Sequence, residues 1–130
     1  APSMGRKHKQ EDSIEDITYL PYMSWRDWIK TLGEYNIGIH LMRTHAAGTF
    51  AMNCGFHGIP CIGYKGLDTQ EILHPLTTVE VGDLDEAQRI GLKLKDNKFY
   101  KLCAKTTLKR FNDYYTEKAW LKNWENENIF

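Results

Sequence analysis

The stretch Thr44–Ile62, THAAGTFAMNCGFHGIPCI, follows directly on an apolar run, NIGIHLM, at Asn36–Met42. The run predicts a strand. The small residues Ala46–Thr49, AAGT, predict a tight helix opening, and Ala47, Phe50, Ala51 and Cys54 then form a compact packing stripe. Gly55 and Gly58 permit close approach and helix termination, and Gly58-Ile59-Pro60 leads into a second strand, Cys61–Tyr64. Strand, helix and strand make one βαβ unit. Such a unit sets free backbone N–H groups and a positive helix end at the carboxyl edge of a parallel sheet. Open α/β sheets bind ligands at that edge, so a pocket for a nucleotide diphosphate is expected here.

Working outward, Ile17–Leu20 is a short apolar run ended by Pro21 and predicts a strand-like entry. Ser24 is a good N-cap with Asp27 in the first turn, and Trp25, Trp28, Ile29 and Leu32 share one face of the helix that follows. Beyond Tyr64, Asp68-Thr69-Gln70-Glu71 reads as a capping box opening a short helix that ends at Pro75. Thr77–Val81 is β-branched and strand-like; Asp83 with Glu86 caps a helix over Leu84–Lys95. Asp96-Asn97 breaks that helix, and Phe99 to about Trp124 predicts one long helix, with room for a kink. Alternation of this kind predicts an α/β fold: a three-layer α/β/α Rossmann-like domain with a small parallel sheet, ending in a long C-terminal helix. Residues 1–16 read as a disordered polar leader, and 17–130 as a single domain.

The bulk numbers narrow the partners. The chain has 130 residues, enough for one core, and its 17 basic and 17 acidic side chains cancel. Nothing in that balance draws it to nucleic acid or to an anionic membrane surface. No apolar run reaches the ~20 residues of a membrane span. Three cysteines, Cys54, Cys61 and Cys103, with no secretion signal, favour a reduced, cytoplasmic setting and a role as small buried hydrophobes. Cys54, His57 and Cys61 have ligand chemistry, with His45 or His74 as a fourth group. Their positions on a packing face and a strand start speak for burial over zinc, and no metal is expected.

From Ile17 to about Trp120 the chain resembles the carboxyl-terminal, donor-binding half of a GT-B-fold glycosyltransferase. Two glutamates with seven residues between them frame a glycine in the retaining members, and a Gly-x-Pro opens the next strand. His45 and Asn53 stand at the glutamate positions here, Gly48 at the glycine, and Gly58-Ile59-Pro60 at the Gly-x-Pro. Thr78-Val79-Glu80-Val81-Gly82-Asp83 with the helix LDEAQRIGLKL, and YLPYMSW before the first clear helix, are similar as well. The resemblance implies transfer of a sugar from a nucleotide diphosphate sugar. It also implies that the chain is a fragment or one half of a two-chain enzyme, inactive alone. A separate acceptor-binding domain would then rest on the aromatic C-terminal helix. A non-catalytic nucleotide-binding or protein-interaction module is the alternative, favoured by the absence of both glutamates.

His45 is the catalytic candidate, placed where a donor sugar would lie. Arg43 and Lys65 follow two strands and could neutralise a diphosphate. Gly48 lets phosphate approach the backbone, while Thr44, Ala47 and Thr49 line the helix opening. Asn53 could hold ribose hydroxyls, and the loop residues Thr69, Gln70 and Glu71 lie near the donor in the resembling family. With backbone and cations supplying the charge, no cofactor is needed.

Overall fold

The computed structural model describes residues 16–43 and 48–126, which fall into two compact units divided after Thr31. In the first unit Leu20 is a single bridging residue where the sequence predicts a strand over Ile17–Leu20. Helix α1 (Trp25–Leu32) starts there. Ser24 caps it as expected: the Asp27 N–H donates to Ser24 Oγ at 3.2 Å, and Ser24 Oγ donates to Asp27 Oδ2 at 2.6 Å. Of the four apolar residues assigned to one face, Trp25 is exposed, Trp28 and Ile29 are half-buried and Leu32 is buried.

The second unit is mixed α/β. Its order is β1 (Gly38–His40), α2 (Thr49–His57), β2 (Cys61–Tyr64), α3 (Asp68–Leu73), β3 (Thr78–Val79), α4 (Leu84–Lys93), α5 (Asn97–Tyr114) and α6 (Glu117–Asn126). The strands form a parallel sheet in the order β1-β2-β3, with Gly38 opposite Cys61 and Gly63 opposite Thr78. Two consecutive βαβ units are therefore present, as the Thr44–Ile62 stretch predicts for the first of them.

β2 is central and buried along its whole length. Its alternate residues meet different partners. Gly63 lies against Gln70 of α3, and the Cys61 N–H meets His74 at the end of α3. Ile62 and Tyr64 belong instead to a core cluster with Val79, Ala87, Ile90, Leu94 and Cys103. β1, with a sheet neighbour on one side only, leaves Ile39 63% exposed.

Several boundaries differ from the sequence expectation, each for a local reason. β3 stops at Val79 because Glu80–Asp83 turns back: the Asp83 N–H donates to Glu80 O at 3.0 Å, and Gly82 takes φ +86. α3 is not opened by an Asp68 capping box. Leu67 is its N-cap without a side-chain bond, and Glu71 Oε2 accepts the Gly66 N–H at 3.0 Å instead. The long final helix is two helices. α5 ends at Tyr114 with Tyr115 as its C-cap, and Thr116 Oγ1 accepts the Ala119 N–H at 3.2 Å to start α6. Asp83 and Asp96 cap α4 and α5 through the N–H groups of Glu86 and Phe99.

Candidate functional site

The carboxyl ends of all three strands converge on a cavity of about 260 Å³. His40, Met42 and Arg43 reach it from β1, Tyr64 to Leu67 from β2, and Val81 from beyond β3; Gln70 closes it from the first turns of α3. The volume is near the low end of the ~300–1,000 Å³ of small-molecule pockets, enough to enclose one portion of a larger ligand.

Its charged walls are cationic. Arg43 makes no ion pair among the described residues, and its guanidinium lies 3.2 Å from where a Cβ on Gly82 would stand. Glycine at that positive-φ position leaves the guanidinium room to lie there. Lys65 Nζ is 3.3 Å from Glu80 Oε1, with both groups exposed, so the pair is weak and open to competition. His40 is partly buried beside Phe50, with ring centroids 5.6 Å apart, and burial pushes its pKa down toward the neutral imidazole. No carboxylate is among the described lining residues.

At one wall lies an unsatisfied group. Gln70 is 1% exposed. Its Nε2 donates to Cys61 O at 2.8 Å and to Thr78 Oγ1 at 3.2 Å, which fixes the amide's orientation; its buried Oε1 has no hydrogen-bond partner among the described residues. Burying such an acceptor without a hydrogen bond costs about 1–3 kcal/mol.

The residues named from the sequence divide three ways. Arg43, Lys65 and Gln70 line the cavity. Gly48, Thr49, Asn53, Thr69 and Glu71 do not. Asn53 is buried within α2, and Glu71 is committed to the Gly66 N–H. Thr69 Oγ1 donates to Gly48 O at 3.0 Å, joining the starts of α2 and α3. Gly48 has φ +69, and a Cβ there would overlap Thr69 Oγ1, so glycine is needed for the fold at that position irrespective of any ligand. Thr44, His45, Ala46 and Ala47 lie outside the described residues. His40, Tyr64 and Gly66 are wall residues the sequence reading missed; as the last residue of β1, the last residue of β2 and the second residue beyond it, they could have been found once the strand ends were drawn.

Cys54, Cys61 and Cys103 are free and buried. A neighbouring Cys54 thiol and burial both push the Cys61 thiol up, away from the reactive thiolate. Among the described residues no group of three His, Cys, Asp or Glu could hold a metal ion, and no helix is long and apolar enough to cross a membrane. Compared with protein-family models, curated proteins and solved structures, the chain matches none.

Proposed function

We propose that the chain is a nucleotide-sugar-binding domain of the glycosyltransferase type, holding a nucleotide diphosphate sugar at the carboxyl edge of its sheet. The observation that carries this is the cavity where three parallel strands end, walled by Arg43, which has no ion pair among the described residues, and a loosely paired Lys65, with no acid among its described walls. A diphosphate leaving group develops negative charge as the sugar departs, and pre-placed cations stabilise that charge. The three-layer Rossmann-like arrangement belongs to the same proposal; the alternation of partners along β2 supports it. So does a cytoplasmic location, which suits three free thiols.

Calorimetry and thermal shift against UDP, GDP and ADP and their sugar conjugates test the proposal. One nucleotide should stabilise the chain selectively. Arg43→Ala should weaken that nucleotide about 10- to 100-fold, the worth of a charge-assisted hydrogen bond. Its melting temperature should barely move, because Arg43 is exposed. A well-folded chain that no nucleotide stabilises would sink the proposal.

One observation favours a second function, binding of a protein partner. On α6, the rings of Trp120 and Trp124 lie with centroids 5.0 Å apart, tilted by 31°, while exposed, and Leu121 beside them is exposed as well. Aromatic groups of this kind are enriched at interfaces. Sugar transfer that survives Trp120→Ala and Trp124→Ala together would show that catalysis does not use this surface.

A further inference from the structure

Given the carboxyl-edge cavity as the diphosphate site, on which this inference rests, we propose that Glu80 is that site's internal competitor. Its carboxylate occupies the Lys65 ammonium until a phosphate-bearing ligand displaces it. The pairing follows from the parallel register. Tyr64 and Val79 are Cα partners, and the next residue along each chain is Lys65 or Glu80. The Lys65 N–H donates to Val79 O at 2.8 Å, so the backbones stay side by side past the strand ends. The side chains then meet, Nζ to Oε1 at 3.3 Å. Lys65 walls the cavity, and Glu80 is not among its described walls. The ammonium is therefore spent on a group beside the cavity. Arg43 lies against Gly82 of the same turn and has no ion pair among the described residues. One turn, Glu80–Asp83, thus leaves one cation of the site open and covers the other.

The cover can be lifted. The Lys65 and Glu80 side chains are 58% and 73% exposed, so water screens the pair and rehydrates both groups when they part. A carboxylate carries a single charge, whereas an ionised terminal phosphoryl group carries close to two. Exchanging Glu80 for such a group at Lys65 is favourable; exchanging it for another carboxylate returns nothing. Glu80 therefore weakens the binding of every anion that uses Lys65. Only a ligand charged enough to replace a carboxylate recruits both cations.

The test is calorimetry of the full chain at pH 8 and low salt, with inorganic pyrophosphate as the probe. Glu80→Gln keeps the size of the side chain and removes its charge. It should bind pyrophosphate about threefold more tightly, the worth of an exposed ion pair. Lys65→Met should bind it more weakly, and adding Glu80→Gln to that variant should change the affinity by less than about 1.5-fold, because the competition has gone. Equal affinity in the unaltered chain and Glu80→Gln overturns the role of Glu80 and leaves the anion site standing. An equal gain in both backgrounds also overturns it, since Glu80 would then act only as a nearby charge. Failure of pyrophosphate on every chain overturns the site itself. A readout on the unaltered chain decides the matter where Lys65→Met binds too weakly to titrate. The Glu80 carboxyl carbon resonance should move toward that of a solvated glutamate as pyrophosphate saturates the chain. A Glu80 signal that stays still while pyrophosphate binds overturns the proposal.

Discussion

His74 joins four elements through one imidazole. Its Nδ1 accepts the Cys61 N–H at 3.2 Å, and its Nε2 donates to Ala51 O of α2 at 2.8 Å. Thr107 Oγ1 of α5 lies 3.0 Å from Nδ1 and 3.0 Å from Leu73 O of α3. An Nδ1 that accepts a backbone N–H cannot also carry a proton, so the neutral Nε2–H form is the one the fold uses. Burial pushes the pKa from 6.5 down to about 4, only partly countered by the bond to Ala51 O. An unfolded chain takes up this proton near pH 6.5 and the folded chain does so only near 4. Between those values the unfolded state binds more protons, so stability falls as pH falls. Above pH 6.5 both states are neutral and this contribution is flat. The full effect is about 3 kcal/mol. Urea denaturation at pH 7, 5.5 and 4 should show that loss. In His74→Gln, compared at the same pH values, most of the pH slope over this window should disappear even though the variant starts less stable. An unchanged slope would show that other groups carry the acid sensitivity.

Between elements, the Gly48–Thr69 contact ties the start of α2 to the start of α3. Gly48→Ala places a side chain at φ +69, costing about 1–2 kcal/mol, and drives its Cβ into Thr69 Oγ1. Thr69→Ala removes the hydrogen bond to Gly48 O, worth about 1 kcal/mol, and also vacates that space. The two changes should therefore be non-additive: Gly48→Ala should cost about 1 kcal/mol less in the Thr69→Ala background. Equal costs in both backgrounds, by urea denaturation, would mean that the two residues do not press on each other. The same region marks how far the sequence could be read. The βαβ unit was legible because Gly58-Ile59-Pro60 stops one element and starts another within three residues, and Asp83 with Glu86 announced α4 by a cap that the structure contains. Gln70 was not legible as a buried residue. Thr69-Gln70-Glu71 is uniformly polar, and only the absence of a side chain at Gly63, up to about 25 Å away along an extended chain but adjacent in space, makes room for it. The α5–α6 break was hidden for a related reason. The apolar spacing continues past Thr116, and nothing in it shows that this hydroxyl caps a new helix.

For the molecule as a whole, the division after Thr31 has a functional consequence. Every described wall of the cavity, from His40 to Val81, belongs to the second unit. So do the three strands and the core cluster that spans Ile62 to Cys103. The buried network of His74, Gln70, Thr77 and Thr107 is also complete there, since each of its bonds joins residues between Ala51 and Thr107. A chain starting at Leu32 has about 100 residues, within the size at which single domains bury a sufficient core and melt cooperatively. It should keep a cooperative thermal transition, and it should bind the selected nucleotide within about threefold of the full-length affinity, a difference below about 0.7 kcal/mol. Both are read from one sample, by circular dichroism on heating and by calorimetry. Cooperative melting with lost binding would mean that the first 31 residues complete the site. A broad, uncooperative melt would mean that they complete the fold. Retention of both properties would place the whole candidate site on the βαβ framework that starts at Gly38.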